Sequence, residues 1–487
     1  MGKAQSSPVI APEISNNNST ESNLSQQGAA LLTSSVSDER LGKESINRLL
    51  LEFAIPSIVA MTATSIYNVV DRIFIGNAVG PMAIAGLALV MPVMNLLSAF
   101  GSMVGAGASS MVSIRLGQQR REEATSILGN TLILNFLIGG LLTILGLIFL
   151  DDLLILFGAS PKTLPYARDF MQIILIANVL NHNFLGLNSI MRASGYPKKA
   201  MWSSLLTVGV NVALAPLFIF GFKWGIRGAA LATAFAQLSG FIWVTAHFAN
   251  KKHSLHFKRG YFKLRLKVIG DILSIGLSPF FMHLSASLVV VVINKSLAAY
   301  GGEQGDLAIG AYGIVNSVVM LILMLVLGLN MGMQPVVGYN FGARKNDRML
   351  QAYHNTILIA SLVTTSGFFM ALLFPRTIVS VFTNDPGMID LSVICLKTVV
   401  LSFPVVGFQM VTTTFFQSIG KAAWSVFLSL SRQLIFLIPG IIIMPRLLGL
   451  KGVWVAMPLG DFLASLLTLI VIITQIRKYR SKPLPAA

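Results

Sequence analysis

A single cysteine, Cys395, occurs in 487 residues, and it lies inside an apolar run. No disulfide can close within the chain and no thiolate cluster can hold a metal. A buried cysteine acting as a small hydrophobe is the plain reading. Charge is scarce too. Only 11% of residues are Asp, Glu, Lys or Arg, where a soluble domain carries about 25%. So few charges cannot give a chain of this length a water-compatible surface. Hydrophobic residues at 54% and a mean hydropathy of +0.74 point the same way. The scarcest charge is negative: 19 acidic residues stand against 36 Lys and Arg, a net charge of +17. In a soluble protein that excess would suggest nucleic acid. Here the basic residues fall in short segments between long apolar runs, where they set orientation in a bilayer, so no nucleic-acid partner is expected. The sequence also has no Walker A stretch, HExxH pair or Cys/His cluster. Neither an enzyme nor a bound cofactor is expected on that basis.

What the chain does have is long apolar runs. Twelve segments, from 48–75 to 450–475, reach the roughly 20 residues a helix needs to cross a bilayer. Several exceed that length, which implies tilt or kinks. Pro56, Pro92, Pro216, Pro279, Pro335, Pro404, Pro439 and Pro458 lie inside or near the ends of these runs. A bundled membrane helix bends at proline while neighbours satisfy the freed carbonyl. The connecting segments alternate in charge. One set holds the clusters Arg115–Arg121, Arg192–Lys199, 251–267, Arg344–Arg348, Lys421 and Arg477–Lys482. The other holds only Lys162, Lys223, Arg227, Arg376, Arg446 and Lys451. The first set is therefore expected in the cytoplasm, with both termini, in a multi-pass protein of the inner (plasma) membrane. Residues 1–45 are polar and low in complexity, as in 15–20, and read as a disordered cytoplasmic tail. Gly2 and Ser6 fit a short myristoylation pattern.

The chain repeats itself. Ala83-Ile84 recurs as Ala308-Ile309, Gly107 as Gly332, Gly117 as Gly342 and Asn130-Thr131 as Asn355-Thr356, always 225 residues on. Phe157 with Phe382, Pro161 with Pro386 and Gly195 with Gly420 keep the same register. The expected fold class is an all-α integral membrane protein, with twelve transmembrane helices in two six-helix lobes. An even number of spans per half relates the lobes by a pseudo-twofold axis along the membrane normal. The first lobe covers 46–250, a basic linker 251–267, the second lobe 268–475 and a cytoplasmic tail 476–487. Two lobes flanking a cleft is the architecture of an alternating-access transporter.

Ionisable residues inside spans are costly and so draw notice. Asp71 lies late in the first span, where it is either a buried proton-accepting carboxylate or an interfacial group paired with Arg72. Thr64 and Tyr67 share its helix face. Arg432 and Asp461 lie about 15 residues before and 13 after the turn near 447–448. At 1.5 Å per residue their depths then agree within roughly 3 Å, which predicts an intramembrane ion pair, either a structural fixture or a group used in conformational switching or protonation. His182 and His283 also fall within spans and read as hydrogen-bonded structural groups.

The motifs resemble a known family. Ile66-Tyr67-Asn68-Val69-Val70-Asp71-Arg72 running on to Gly80-Pro81 is similar to the first-helix signature of multidrug and toxic compound extrusion (MATE) transporters. So are Gly105-Ala106-Gly107-Ala108-Ser109 with Arg115-Leu116-Gly117, Arg192-Ala193-Ser194-Gly195, and the stretch Gln334-Pro335 to Phe341-Gly342. The nearest flavour is the bacterial MepA-like branch, over residues 46–475. The resemblance implies a V-shaped central cavity. It also implies multidrug efflux, with amphipathic, often cationic, xenobiotics and antibiotics exported in exchange for H+ or Na+ by a monomer in the lipid bilayer. It places the coupling carboxylate at Asp71, with Tyr67, Asn188, Asn211 and Thr233 as polar neighbours. The sequence departs from many relatives at Ala215, where a second acid is common, and this departure favours H+ over Na+. With an offset of 223, Asp71 aligns with Asn294, so the halves share a scaffold but not the same ion chemistry. A lipid-linked oligosaccharide flippase of the same superfamily is the alternative expectation.

Overall fold

The computed structural model of the chain describes residues 40–79 and 81–481. The Gly2 pattern, the greater part of the expected tail and the last six residues lie outside the described residues. Twelve helices are long and apolar enough to cross a membrane. We number them α1 (Ile46–Val79), α2 (Pro81–Gly117), α3 (Arg121–Ile148), α4 (Leu164–Ala193), α5 (Pro197–Gly221), α6 (Gly225–Ala249), α7 (Leu266–Tyr300), α8 (Gly305–Gly342), α9 (Asn346–Leu373), α10 (Pro386–Ser418), α11 (Ala422–Leu448) and α12 (Leu450–Ser481). No strand occurs among the described residues. Leu358 and Leu362 on α9 are 71% and 66% exposed, an apolar surface of the kind a membrane or partner covers.

The expected tail reaches residue 45, yet residues 40–45 are folded onto the bundle. Leu41 is buried in the core, and Arg40 pairs with Glu44 at 2.7 Å and Glu52 at 2.8 Å. Low apolar content sets the boundary read from sequence; one well-placed leucine moves it. The linker between α6 and α7 carries one 3₁₀ turn, Arg259–Tyr261.

The duplication is visible in backbone geometry. Gly195 and Gly420 both take left-handed angles, φ 91° and φ 73°, and both follow a helix end. Gln119 and Arg344, one repeat apart, take φ 61° and φ 58° in the matching α2–α3 and α8–α9 turns. The lobes meet through α1 and α2 on one side and α7 and α8 on the other. There glycines let backbones touch. A side chain on Gly117 would collide with the Tyr339 carbonyl of α8, and one on Gly342 with the Ile114 carbonyl of α2. Gly107 meets Ile272 of α7 in the same way, and its repeat partner Gly332 meets Ala54 of α1.

Buried side chains divide accordingly. One core runs through both lobes and includes Leu49, Phe53, Val112 and Leu116 from the first and Ile272, Val336, Tyr353 and Phe415 from the second. It occupies the end that carries the α2–α3 and α8–α9 turns. At the opposite end the core splits in two. Ile75, Val90, Phe170 and Ala229 pack within the first lobe, whereas Ile293, Val315, Leu396 and Trp454 pack within the second. The lobes are joined at one end and separate at the other. The molecule is a V whose cleft opens away from the basic turns.

Candidate functional site

The second half of α1 enters the private core of the first lobe. It carries Tyr67 and Asp71 one helical turn apart, on one face. The Tyr67 hydroxyl lies 3.2 Å from Thr233 Oγ1 on α6. Asn211 on α5 donates through Nδ2 to Tyr67 Oη at 2.8 Å and to Thr233 Oγ1 at 3.0 Å. Thr233 in turn donates to the Ala229 carbonyl at 3.1 Å. Three helices are thus pinned by one closed polar triangle. Asp71 is 9% exposed and lies one helical turn from Tyr67. Asn211 Oδ1 is buried and accepts no hydrogen bond among the described residues. A buried acceptor left without a protein donor is a place for a proton donor or a cation.

The remaining candidates of this lobe lie elsewhere. Thr64 is exposed and donates to the Ala60 carbonyl of its own helix at 2.9 Å. Asn188 belongs to a different network: its Nδ2 donates to Ser203 Oγ at 2.7 Å and the Ala200 carbonyl at 2.9 Å, and its Oδ1 accepts from Arg192 at 2.6 Å. That network ties α4 to the start of α5, away from Asp71. Ala215, one turn beyond Asn211, is buried among apolar side chains and supplies no oxygen ligand. The side chain of Arg72 is outside those described. His182 bonds the Leu97 carbonyl at 2.9 Å and His283 faces Ser102 Oγ at 3.4 Å, each fastening a helix to α2.

In the second lobe Arg432 Nε donates to Asp461 Oδ1 at 2.7 Å, and Ser402 Oγ donates to Oδ2 at 2.8 Å. Two of the three helices are irregular at this point, and the third holds a proline just before it. Ser402 ends a 3₁₀ turn, Val400–Ser402, within α10. Arg432 lies in a π-helical stretch, Ser431–Leu437, within α11. Asp461 follows Pro458 in α12. Such distortions re-aim side chains that a regular helix would point elsewhere. Ser402 was not among the residues singled out from sequence. A serine in an apolar run gives no signal of its partner. The hydrogen-bonded set Ser278, Ser425 and Ser429 joining α7 to α11 was missed for the same reason.

Comparison with known proteins agrees with this architecture. The sequence model of the family described as MatE matches residues 56–217 and 282–443, one stretch in each lobe. The multidrug export protein MepA of Staphylococcus haemolyticus (strain JCSC1435) is 26% identical over 430 residues, 88% of this chain and 94% of that protein. MepA of Staphylococcus aureus (strain MSSA476) is 24% identical over the same shares. Among solved structures, a MATE crystal structure in the bent conformation superposes with a TM-score of 0.86 at 25% identity, covering 91% of this chain and 98% of that one. The outward-facing conformation of a multidrug resistance MATE family transporter gives 0.86 at 24% identity with the same coverage.

Proposed function

The chain belongs to the MatE family of multidrug efflux transporters, and from that premise we propose that it is a secondary active antiporter. It exports amphipathic, often cationic, compounds in exchange for a coupling ion by alternating access. The observation that carries the reading is the Asp71, Tyr67, Asn211 and Thr233 cluster, buried in one lobe on the side where the cleft opens. A carboxylate in that setting can be filled from one side and emptied when the V inverts. The absence of a second acid at Ala215 favours H+, since Na+ prefers several oxygen ligands. The positive-inside bias supports a cytoplasmic position for the basic turns and both termini. On this reading the closed end faces the cell and the cleft faces outward, in the inner (plasma) membrane, with a monomer as the working unit.

The driving force is adequate. One proton falling through a 100 mV potential releases about 2.3 kcal/mol. A tenfold gradient costs about 1.4 kcal/mol. One proton therefore supports roughly a 40-fold gradient of an uncharged drug. For a monovalent cation exchanged one for one, no net charge moves and only the pH difference drives export.

Drug efflux from proteoliposomes, with proton and sodium gradients imposed separately, tests the proposal. Export driven by a pH gradient and lost in Asp71→Asn, with the protein still folded, is the expected result. Full export by Asp71→Asn sinks Asp71 as the coupling residue. The flippase alternative calls for a large, strongly cationic cavity, and movement of a lipid-linked oligosaccharide in the same vesicles would favour it.

A further inference from the structure

The second lobe holds a cavity that the proposed cycle does not use. It measures about 110 Å3 and lies between α7, α8, α10, α11 and α12. Its walls are mostly aliphatic, with Val289, Val315, Phe403 and Met457 among them, and its polar lining comes from Arg432, Asp461, Tyr312 and Asn316.

The polar groups are unevenly satisfied. Both carboxylate oxygens of Asp461 are engaged, one by Arg432 Nε and one by Ser402. Arg432 is different. A guanidinium offers five N–H donors, and only Nε is bonded to another described group. The two Nη groups make no hydrogen bond among the described residues, and the side chain is 24% exposed while lining the cavity. Tyr312 and Asn316 likewise make no side-chain hydrogen bond among the described residues. The carboxylate acts as a brace. It holds the guanidinium by one edge, and the π-helical turn of α11 aims the other edge inward.

We propose that this cavity is a head-group subsite for the carboxylate of an apolar, amphipathic molecule, read by the Nη edge of Arg432 with Tyr312 and Asn316 as supporting donors. A planar fork of parallel N–H groups matches the two oxygens of a carboxylate. The apolar walls exclude small inorganic anions, which keep their hydration. Whole-ligand pockets run to about 300–1,000 Å3, so this cavity takes the head while the apolar body extends beyond it. Arg432 then determines specificity, and the substrate range extends from cations to anionic amphiphiles. This inference rests on the reading of the chain as an exporter of amphipathic compounds.

The test uses the purified full chain in lipid nanodiscs, without any gradient. 1-Pyrenebutyrate, its uncharged analogue 1-pyrenebutanol, and the cation tetraphenylphosphonium are titrated separately. Wild type is expected to bind pyrenebutyrate at least tenfold more tightly than pyrenebutanol. The double substitution R432Q/D461N leaves no unpaired charge, and it should abolish that preference while tetraphenylphosphonium binding stays unchanged. R432K keeps the charge but removes the fork, and it should lose most of the preference. Equal affinity for acid and alcohol in wild type, or an undiminished preference in R432Q/D461N, would overturn the proposal. If the double variant does not fold, Asn316→Leu decides: it should reduce the acid preference several-fold, and no change would count against the subsite. Failure of proton-driven export with acid binding intact would refute the antiport reading alone.

Discussion

Tyr67 is where three helices share one oxygen. Its hydroxyl receives the Asn211 amide and sits against Thr233. Tyr67→Phe removes that oxygen and leaves polar groups buried without it, a cost of about 1–3 kcal/mol. We predict a lower melting temperature and a weakened pH dependence of export, with Thr233→Val milder because Tyr67 and Asn211 keep their direct bond. A second residue-scale prediction concerns the linker. His253 stacks on His247 with ring centroids 4.0 Å apart and lies 3.3 Å from the Tyr196 hydroxyl and 3.4 Å from Lys199 Nζ. Burial, then the neighbouring Lys199 and His256 charges, hold its proton affinity below that of an ordinary histidine. The undocked linker therefore binds the proton more readily than the docked one. Docking is favoured above about pH 6.5 and weakens as pH falls below it. Amide exchange over 250–257 should quicken on acidification, and His253→Phe, which keeps the stack, should lessen that dependence while His247 remains to titrate.

At the scale of elements, the crossing of α2 and α8 depends on two glycines that touch the facing backbone. Gly117→Leu should drive the helices apart. The expected result is a protein that still inserts but loses protection at the α2–α3 turn, measured by hydrogen exchange, whereas Gly140→Ala, with open space around it, should be silent. Much of this level was legible in advance. Twelve apolar runs became twelve spans because a helix in lipid must satisfy its own backbone. The pairing of Gly117 with Gly342 was readable as a repeat, though not as a contact between lobes. Equal depth on adjacent helices brought Arg432 and Asp461 together. Asn188 misled because residue type says nothing of which neighbour a polar group will find, and Arg192 and Ser203 were nearer. The π turn of α11 leaves no mark in composition, since it shifts hydrogen bonds rather than changing side chains. Tyr312 and Asn316, on α8, carry no sequence signal of the cavity they line.

The whole molecule is held shut at one end by more than its shared core. The short helical stretch from Arg40 ends against the second lobe. There Lys345 Nζ donates to the Gly42 carbonyl at 2.7 Å, Asn340 to the Leu41 carbonyl at 3.1 Å, and Arg348 to the carbonyls of Leu41 and Glu44. Helix-terminal carbonyls carry partial negative charge, so cations from the opposite lobe suit them. Replacing both Lys345 and Arg348 with Ala should shift the population toward the state open at this end. Distances between spin labels on the α2–α3 and α8–α9 turns would report it, and an unchanged distribution would mean that the core alone sets the balance. That balance also bears on speed. Where Gly117 and Gly342 cross the facing helix, backbone lies against backbone, so that patch of the seam orders no rotamers when the lobes join, while Val112, Leu116 and Val336 beside it interlock. If the lobes rock as proposed, that patch is a backbone bearing between them, and the side chains packed around it set the resistance to their motion.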